Sequence, residues 1–228
     1  MKFAIQSVLM LLFVWTSFGA YAAENIVSPA GVPMYKPPLR GAPASRVGGG
    51  SRGMADNLPK IAVLAPDHTG YTTQEQPVLY WYLSKPVAIR LEITITDDKT
   101  IQPLLEKRLE VPAKAGIQAL SLKDHGIHLK PGAEYSWFVG LVADAKQRSS
   151  DVIAGGTIAR KEPAAALQAK LAKSSPKQVP FVYAEEGFWY DAIASISSLI
   201  AAHPEDQALR QQRAALLEQV GLSDFGKD

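Results

Sequence analysis

The residues of this chain best suited to acid–base or metal chemistry near neutral pH are its 4 histidines. His125 and His128 follow Asp124 in the pattern D-H-x-x-H. A metal centre needs three or four ligands in fixed geometry. Here Gly126 interrupts the set and Leu129-Lys130-Pro131 follows it, so the stretch reads as a solvated loop and no metal site is assigned. His68 stands in Asp67-His68-Thr69-Gly70, a turn whose aspartate can cap its own backbone. No catalytic role is read for it. His203 precedes Pro204 at a helix junction and is expected to face solvent. The adjacent Glu185 and Glu186 are the other candidates, because two carboxylates about 5 to 9.5 Å apart across a cleft hydrolyse glycosides. Beside Gly187, at what reads as a helix start, they fit better as complements to the helix dipole. With no cysteine there is no thiol nucleophile, and no Gly-x-Ser-x-Gly elbow occurs. Gly48-Gly49-Gly50-Ser51-Arg52-Gly53 lacks the Lys-Ser/Thr pair of a phosphate loop. No catalytic, metal-binding or cofactor-binding residue is therefore assigned, and no cofactor is expected.

Two stretches instead suggest recognition. The first runs Arg40-Gly41-Ala42-Pro43-Ala44-Ser45-Arg46-Val47-Gly48-Gly49-Gly50-Ser51-Arg52-Gly53. Its spaced arginines make Arg46 and Arg52 candidate interaction residues, against the plainer alternative of a flexible tether. The second is Gly187-Phe188-Trp189-Tyr190-Asp191-Ala192. Consecutive aromatics at a helix start serve as core or interface anchors, so Phe188, Trp189 and Tyr190 are also candidates; a sugar-stacking platform ranks behind that use.

The elements that must position these residues fall into segments. Residues 1–22 read as a secretory signal peptide: Lys2, an apolar run from Val8 to Phe18, then Ala20 and Ala22 in the small-x-small pattern that precedes cleavage. At about 1.5 Å per residue, roughly 11 residues cannot cross a core about 30 Å thick, so no stable membrane span is expected after cleavage. An exported chain without cysteine has no disulfides and must rely on a packed core. The formal charge is +2 at pH 7, part of it from Lys2 in the leader, with acids and bases interspersed. That balance argues against nucleic acid as a partner and against a polybasic membrane binder.

Residues 23–57 read as a Pro/Gly/Arg-rich extended arm, either a tether or a strap laid on the domain. Residues 58–160 alternate with period two. The runs at 61–65, 78–83, 89–96, 105–111, 117–122, 135–142 and 151–159 predict short strands with turn signals between them, the pattern of an antiparallel β-sandwich. Leu129-x-Pro131-Gly132-x-x-Tyr135 looks like the entry to strand F of fibronectin type III domains. There a corner tyrosine bonds back to the chain. The expected fold is thus mainly β with an α C-terminus, an Ig/fibronectin type III-like sandwich followed by a helical hairpin. In residues 161–228, Ala164 to Lys173 favours helix and Ser174 to Pro180 reads as a linker. Trp189, Ile193, Ile196 and Ile200 form one apolar stripe, and an αα-hairpin is predicted over about 184–221 with Gly221 as its cap. A lone helix pair cannot bury its own face, so it must dock on the sandwich, on a copy of itself or on a partner.

The stretches G-A-P-x-x-R-x-G-G-G-x-R-G and G-x-W-Y-D-A carry a resemblance, together with Ala65-Pro66-Asp67-His68-Thr69-Gly70 and Glu218-Gln219-Val220-Gly221-Leu222. From about Arg40 to Leu222 the chain resembles domain-of-unknown-function family 928, a family of exported bacterial proteins. The resemblance implies an exported location and supplies no activity or catalytic residue. The expectation is an exported, periplasmic or secreted, non-enzymatic binding or structural module of the cell envelope. Its partner would be another envelope protein, reached through the C-terminal helices or the arm. The rival expectation is an envelope glycan-acting hydrolase built on Glu185 and Glu186.

Overall fold

Alternating apolar side chains lay down the strands, and their inward faces make the core. The computed structural model describes residues 31–38, 46, 59–97, 99–100 and 102–225. The signal peptide, Arg52, the Gly48–Gly53 run and most of the arm lie outside the described residues. The strands are β1 (Ile61–Val63), β2 (Gly70–Thr72), β3 (Val78–Leu83), β4 (Arg90–Asp97), β5 (Leu105–Arg108), β6 (Gly116–Ser121), β7 (Glu134–Val142) and β8 (Val152–Arg160). They form two separate sheets, ordered β1-β3-β6 and β2-β8-β7-β4-β5. Register follows the pleat: Ile93 lies opposite Val139, and Ile95 opposite Trp137. Leu79, Trp81 and Leu83 of the smaller sheet share one buried cluster with Leu91, Ile93, Ile95, Trp137, Val139 and Leu141 of the larger.

One pairing departs from the antiparallel expectation. β2 runs parallel to β8, with Gly70 opposite Ile158 and Thr72 opposite Arg160. The polar run ahead of it, Pro66 to Thr69, reads as a turn, and three residues are too few to show a period. This edge strand is therefore an addition to the seven runs that alternation reveals.

The β-rich domain is followed by helices α1 (Ala165–Lys173), α2 (Val179–Glu185), α3 (Trp189–Ala202) and α4 (Gln207–Gln219). None of the described helices is long and apolar enough to cross a membrane. The stretch read as a linker, 174–180, is instead a 3-10 turn at Pro176–Gln178 running into α2. A capping pair starts it: the Ser175 N–H and hydroxyl both donate to Gln178 Oε1, at 2.9 and 3.0 Å. Pro180 sits in the first turn of α2, where its missing N–H costs nothing. The α3–α4 hairpin lies within the predicted span. Asp206 caps α4 by accepting from the Ala208 N–H at 3.1 Å, and the Leu222 N–H closes its far end on Leu217 O at 2.9 Å. The hairpin docks on the chain's own β2 and β3.

The described part of the arm is a strap across these helices. Gln212 Nε2 donates to Gly31 O and Gln219 Nε2 to Pro33 O, both at 2.9 Å. The Tyr35 N–H donates to Gln219 Oε1 at 2.8 Å, and the Lys36 N–H to Ala184 O at 3.0 Å.

The Pro131-Gly132 turn delivers Tyr135 to the core, 1% exposed, where its hydroxyl accepts the Lys130 N–H at 3.0 Å. That is the corner bond that the local motif predicts. Tyr135→Phe removes the acceptor and keeps the ring, so the unfolding free energy should fall by about 1 kcal/mol, the net worth of one such bond. Chemical denaturation of the two proteins measures it, and coincident curves would show that the corner contributes nothing.

Candidate functional site

The helices meet the two sheets through the start of α3. Trp189 and Tyr190 are 0% and 3% exposed, so both lie inside the molecule. The Trp189 indole N–H donates to Leu64 O, just past β1, at 2.8 Å. The Tyr190 hydroxyl donates to Thr157 O of β8 and accepts from the Trp137 indole of β7, each at 2.9 Å. One aromatic therefore binds the smaller sheet and the next binds the larger. Tyr190 lies so close over β2 that a Cβ at Gly70 would stand 2.6 Å from its ring, which is why that position must be glycine. Asp191 follows and is 4% exposed. Its carboxylate accepts from the Thr73 N–H at 2.9 Å and from the Thr73 hydroxyl at 2.8 Å, just beyond β2. The stretch from Trp189 to Asp191 is thus a clamp, and Trp189 and Tyr190 offer no surface to a partner. Phe188 is half-buried beside Tyr183, ring centroids 6.5 Å apart.

Gly187 ties the clamp to the strap. Its φ is +81°, and a Cβ there would approach Lys36 O to 2.9 Å, so only glycine fits both the turn and the crossing strap. The strap in turn sets Tyr35 edge-on to Trp189, with ring centroids 4.9 Å apart. The Tyr35 hydroxyl meets His68 Nε2 at 2.9 Å, and His68 Nδ1 meets Asp67 Oδ1 at 3.2 Å. The Tyr35 and His68 rings are nearly parallel, 9° apart in plane. Burial, above all, pushes the Tyr35 phenol well above its ordinary range, so it stays protonated. With Nδ1–H donating to Asp67, Nε2 is free to accept from that phenol, and one tautomer satisfies both contacts.

Arg46 closes the site from the arm. Nη1 donates to Val220 O at 2.9 Å and to Ala65 O at 3.2 Å, while Nη2 reaches Gly221 O at 3.4 Å. Two of these carbonyls belong to the end of α4, where the helix dipole favours a cation. Burial lowers the Arg46 pKa, and the nearby Asp67 carboxylate works against that shift. Between Tyr35, Arg46, Asp67, His68 and the Gln219–Gly221 end of α4 lies a notch of about 380 Å³.

Sequence reasoning singled out Arg46 but missed the company it keeps. Tyr35 lies in the Pro-rich arm, and nothing local signals that it reaches His68, 33 residues on. His68 belongs to the notch as well as to the turn. The other candidates stand apart from it. Glu185 and Glu186 lie at the C-terminal end of α2, so the helix-start reading is corrected. They complement no dipole there; Glu185 pairs with Lys36 at 2.9 Å and Glu186 with Lys170. His128 contacts Glu75 at 3.0 Å and the Gln76 amide at 3.3 Å. Among the described residues, no cluster of three or more His, Asp or Glu side chains could hold a metal ion.

The sequence model of the family described as Domain of Unknown Function (DUF928) matches residues 47–228. No match is found among curated proteins. The matched span holds the clamp, Asp67, His68 and the end of α4; Tyr35 and Arg46 come from the segment before it.

Burial is the largest influence on Asp191 and pushes its carboxyl above the ordinary aspartate value, against the pull of its Thr73 hydrogen bonds. The folded protein therefore holds this proton more tightly than the unfolded chain does. The contribution of Asp191 to stability is greatest below the ordinary aspartate value and is lost as pH rises through the raised one. Asp191→Asn cannot titrate. Urea unfolding of both proteins across the acid range should show wild type gaining on the variant as pH falls through that window. A difference that is flat, or that shrinks on acidification, would mean that the fold holds the ionised carboxylate.

Proposed function

Given that the chain belongs to the DUF928 family, whose description assigns no activity, we propose that it is an exported, non-enzymatic binding module of the cell envelope that recognises its target through the notch. The apolar run from Val8 to Phe18 and the Ala20-x-Ala22 pattern support export. We read the β-rich domain as a fibronectin type III-like sandwich. The order β1-β3-β6 facing β5-β4-β7-β8 and the Tyr135 corner support that reading, with β2 as an extra parallel edge strand.

One observation carries the non-enzymatic reading. The partner of His68 in the Asp67–His68–Tyr35 chain is a phenol that burial keeps protonated, rather than a serine or threonine hydroxyl. A histidine fixed at both nitrogens, next to a guanidinium that is itself fixed by three carbonyls, is a recognition surface with little left to reorganise. The hydrolase reading has the wrong electrostatics at Glu185. A general acid needs a raised pKa, and the hydrogen bond from Lys36 holds Glu185 below the usual glutamate value.

Purified mature protein, from Ala23 onward, should bind isolated cell-envelope fractions saturably and release no reducing ends or soluble fragments from them. Failure to bind any envelope fraction would refute a binding module. Catalytic release of reducing ends that depends on Glu185 and Glu186 would put the hydrolase in its place.

A further inference from the structure

Resting on the reading of this chain as an envelope-binding module, we infer that the notch between strap, turn and α4 takes a neutral sugar residue of an envelope glycan. The argument starts from charge. Among the described residues that line the notch, Arg46 brings one positive charge and Asp67 one negative charge. An ion of either sign would lose its water and then meet a like charge. A neutral polyhydroxyl ligand avoids that cost, because each hydroxyl donates and accepts at once and so matches a guanidinium and a carboxylate in the same cavity.

Access and rigidity agree with this. The Asp67 side chain is 81% exposed and uses Oδ1 on His68, while no hydrogen bond from a described residue reaches its Oδ2. The His68 side chain is 20% exposed, so part of its ring faces the opening, while the Tyr35 and Asp67 bonds stop it turning. Pro37 adds an apolar wall. A fixed flat ring beside polar groups suits the mixed surface of a pyranose, whose C–H face is apolar and whose rim is hydroxylic. The volume, about 380 Å³, is at the low end of the usual range for small-molecule sites, roughly 300 to 1,000 Å³. It suits one or two sugar units rather than a long groove-bound chain.

The polar groups are also set in advance. Arg46 is held by Ala65, Val220 and Gly221 carbonyls, and Tyr35 is held by the strap and by Trp189. A preformed site loses little conformational freedom on binding, which matters most for a ligand with few apolar contacts to offer.

Isothermal titration of the mature protein tests this with three neutral tetrasaccharides, made of β-1,4-glucose, α-1,4-glucose and β-1,4-N-acetylglucosamine. A galacturonate tetramer and inorganic phosphate are the charged comparisons. At least one neutral probe should bind saturably and more tightly than either charged one. Asp67→Ala removes an exposed side chain together with its exposed contact to His68, so it should lower the melting temperature by no more than a few degrees while weakening that binding by about tenfold or more, the loss of one charge-assisted hydrogen bond. Absence of binding by all three neutral probes would overturn the inference, as would preference for a charged probe or full affinity in Asp67→Ala. If such a protein still binds envelope fractions, the sugar assignment fails alone; if it binds neither, the module reading falls with it.

Discussion

The structure depends on a seam between two sheets that share a core without closing on each other. On the side of β1, β2 and β8, that seam must be covered by something that is apolar inside and polar where it meets backbone. Trp189 and Tyr190 supply both. Their rings fill the gap, at roughly 1.5 to 3 kcal/mol for each large side chain fully buried, and their N–H and O–H groups satisfy Leu64 O and Thr157 O. A pair of phenylalanines would fill most of the space, leave a void where the indole had been, and leave those carbonyls and the Trp137 indole without these partners. Asp191 completes the clamp by taking both donors of Thr73, which fixes how α3 enters.

From this clamp the notch follows. Trp189 presents its ring to Tyr35, the strap carries Tyr35 to His68, and Asp67 orients the far side of that imidazole. α3 also sets the position of α4, whose terminal carbonyls receive Arg46. Residues from four distant parts of the chain thus meet within one small volume. The span matched by the family supplies most of them, the Ala65–Gly70 turn and the end of α4, with the Gly187–Ala192 clamp beneath; Tyr35 and Arg46 are brought in by the segment before it. Their first job is to hold sheets, helices and strap together, and in the notch some of their polar atoms also face an opening.

Alternation made the longer strands legible. Val78–Leu83 is β3 residue for residue, and the runs that became β4, β7 and β8 differ only at their ends. The stripe of Trp189, Ile193 and Ile196 announced a buried helix face. β2 was hidden because a three-residue parallel strand has no period to show. α2 was hidden because Ser-Ser-Pro-Lys-Gln reads as loop until Ser175 and Gln178 are seen to cap one another, and missing it put Glu185 and Glu186 at the wrong end of a helix. The site was hardest to read. Its contacts join residues as far apart as Arg46 and Val220, and no local pattern reports a bond across that distance. Arg46 stood out through its neighbours' composition; Tyr35 had no such signal, and His68 looked complete as part of a turn.

The central claim is that the clamp makes the sheets and the α3–α4 hairpin one cooperative body, with the notch as a rigid feature of their junction. Native-state hydrogen exchange measures that directly. The amides of Ile193, Ile196, Leu216 and Leu217 should exchange with the same free energy and the same denaturant dependence as those of Trp137 and Val139, all through global unfolding. Helix amides that open as a separate unit, at lower free energy than β7 and with a smaller denaturant dependence, would contradict the account.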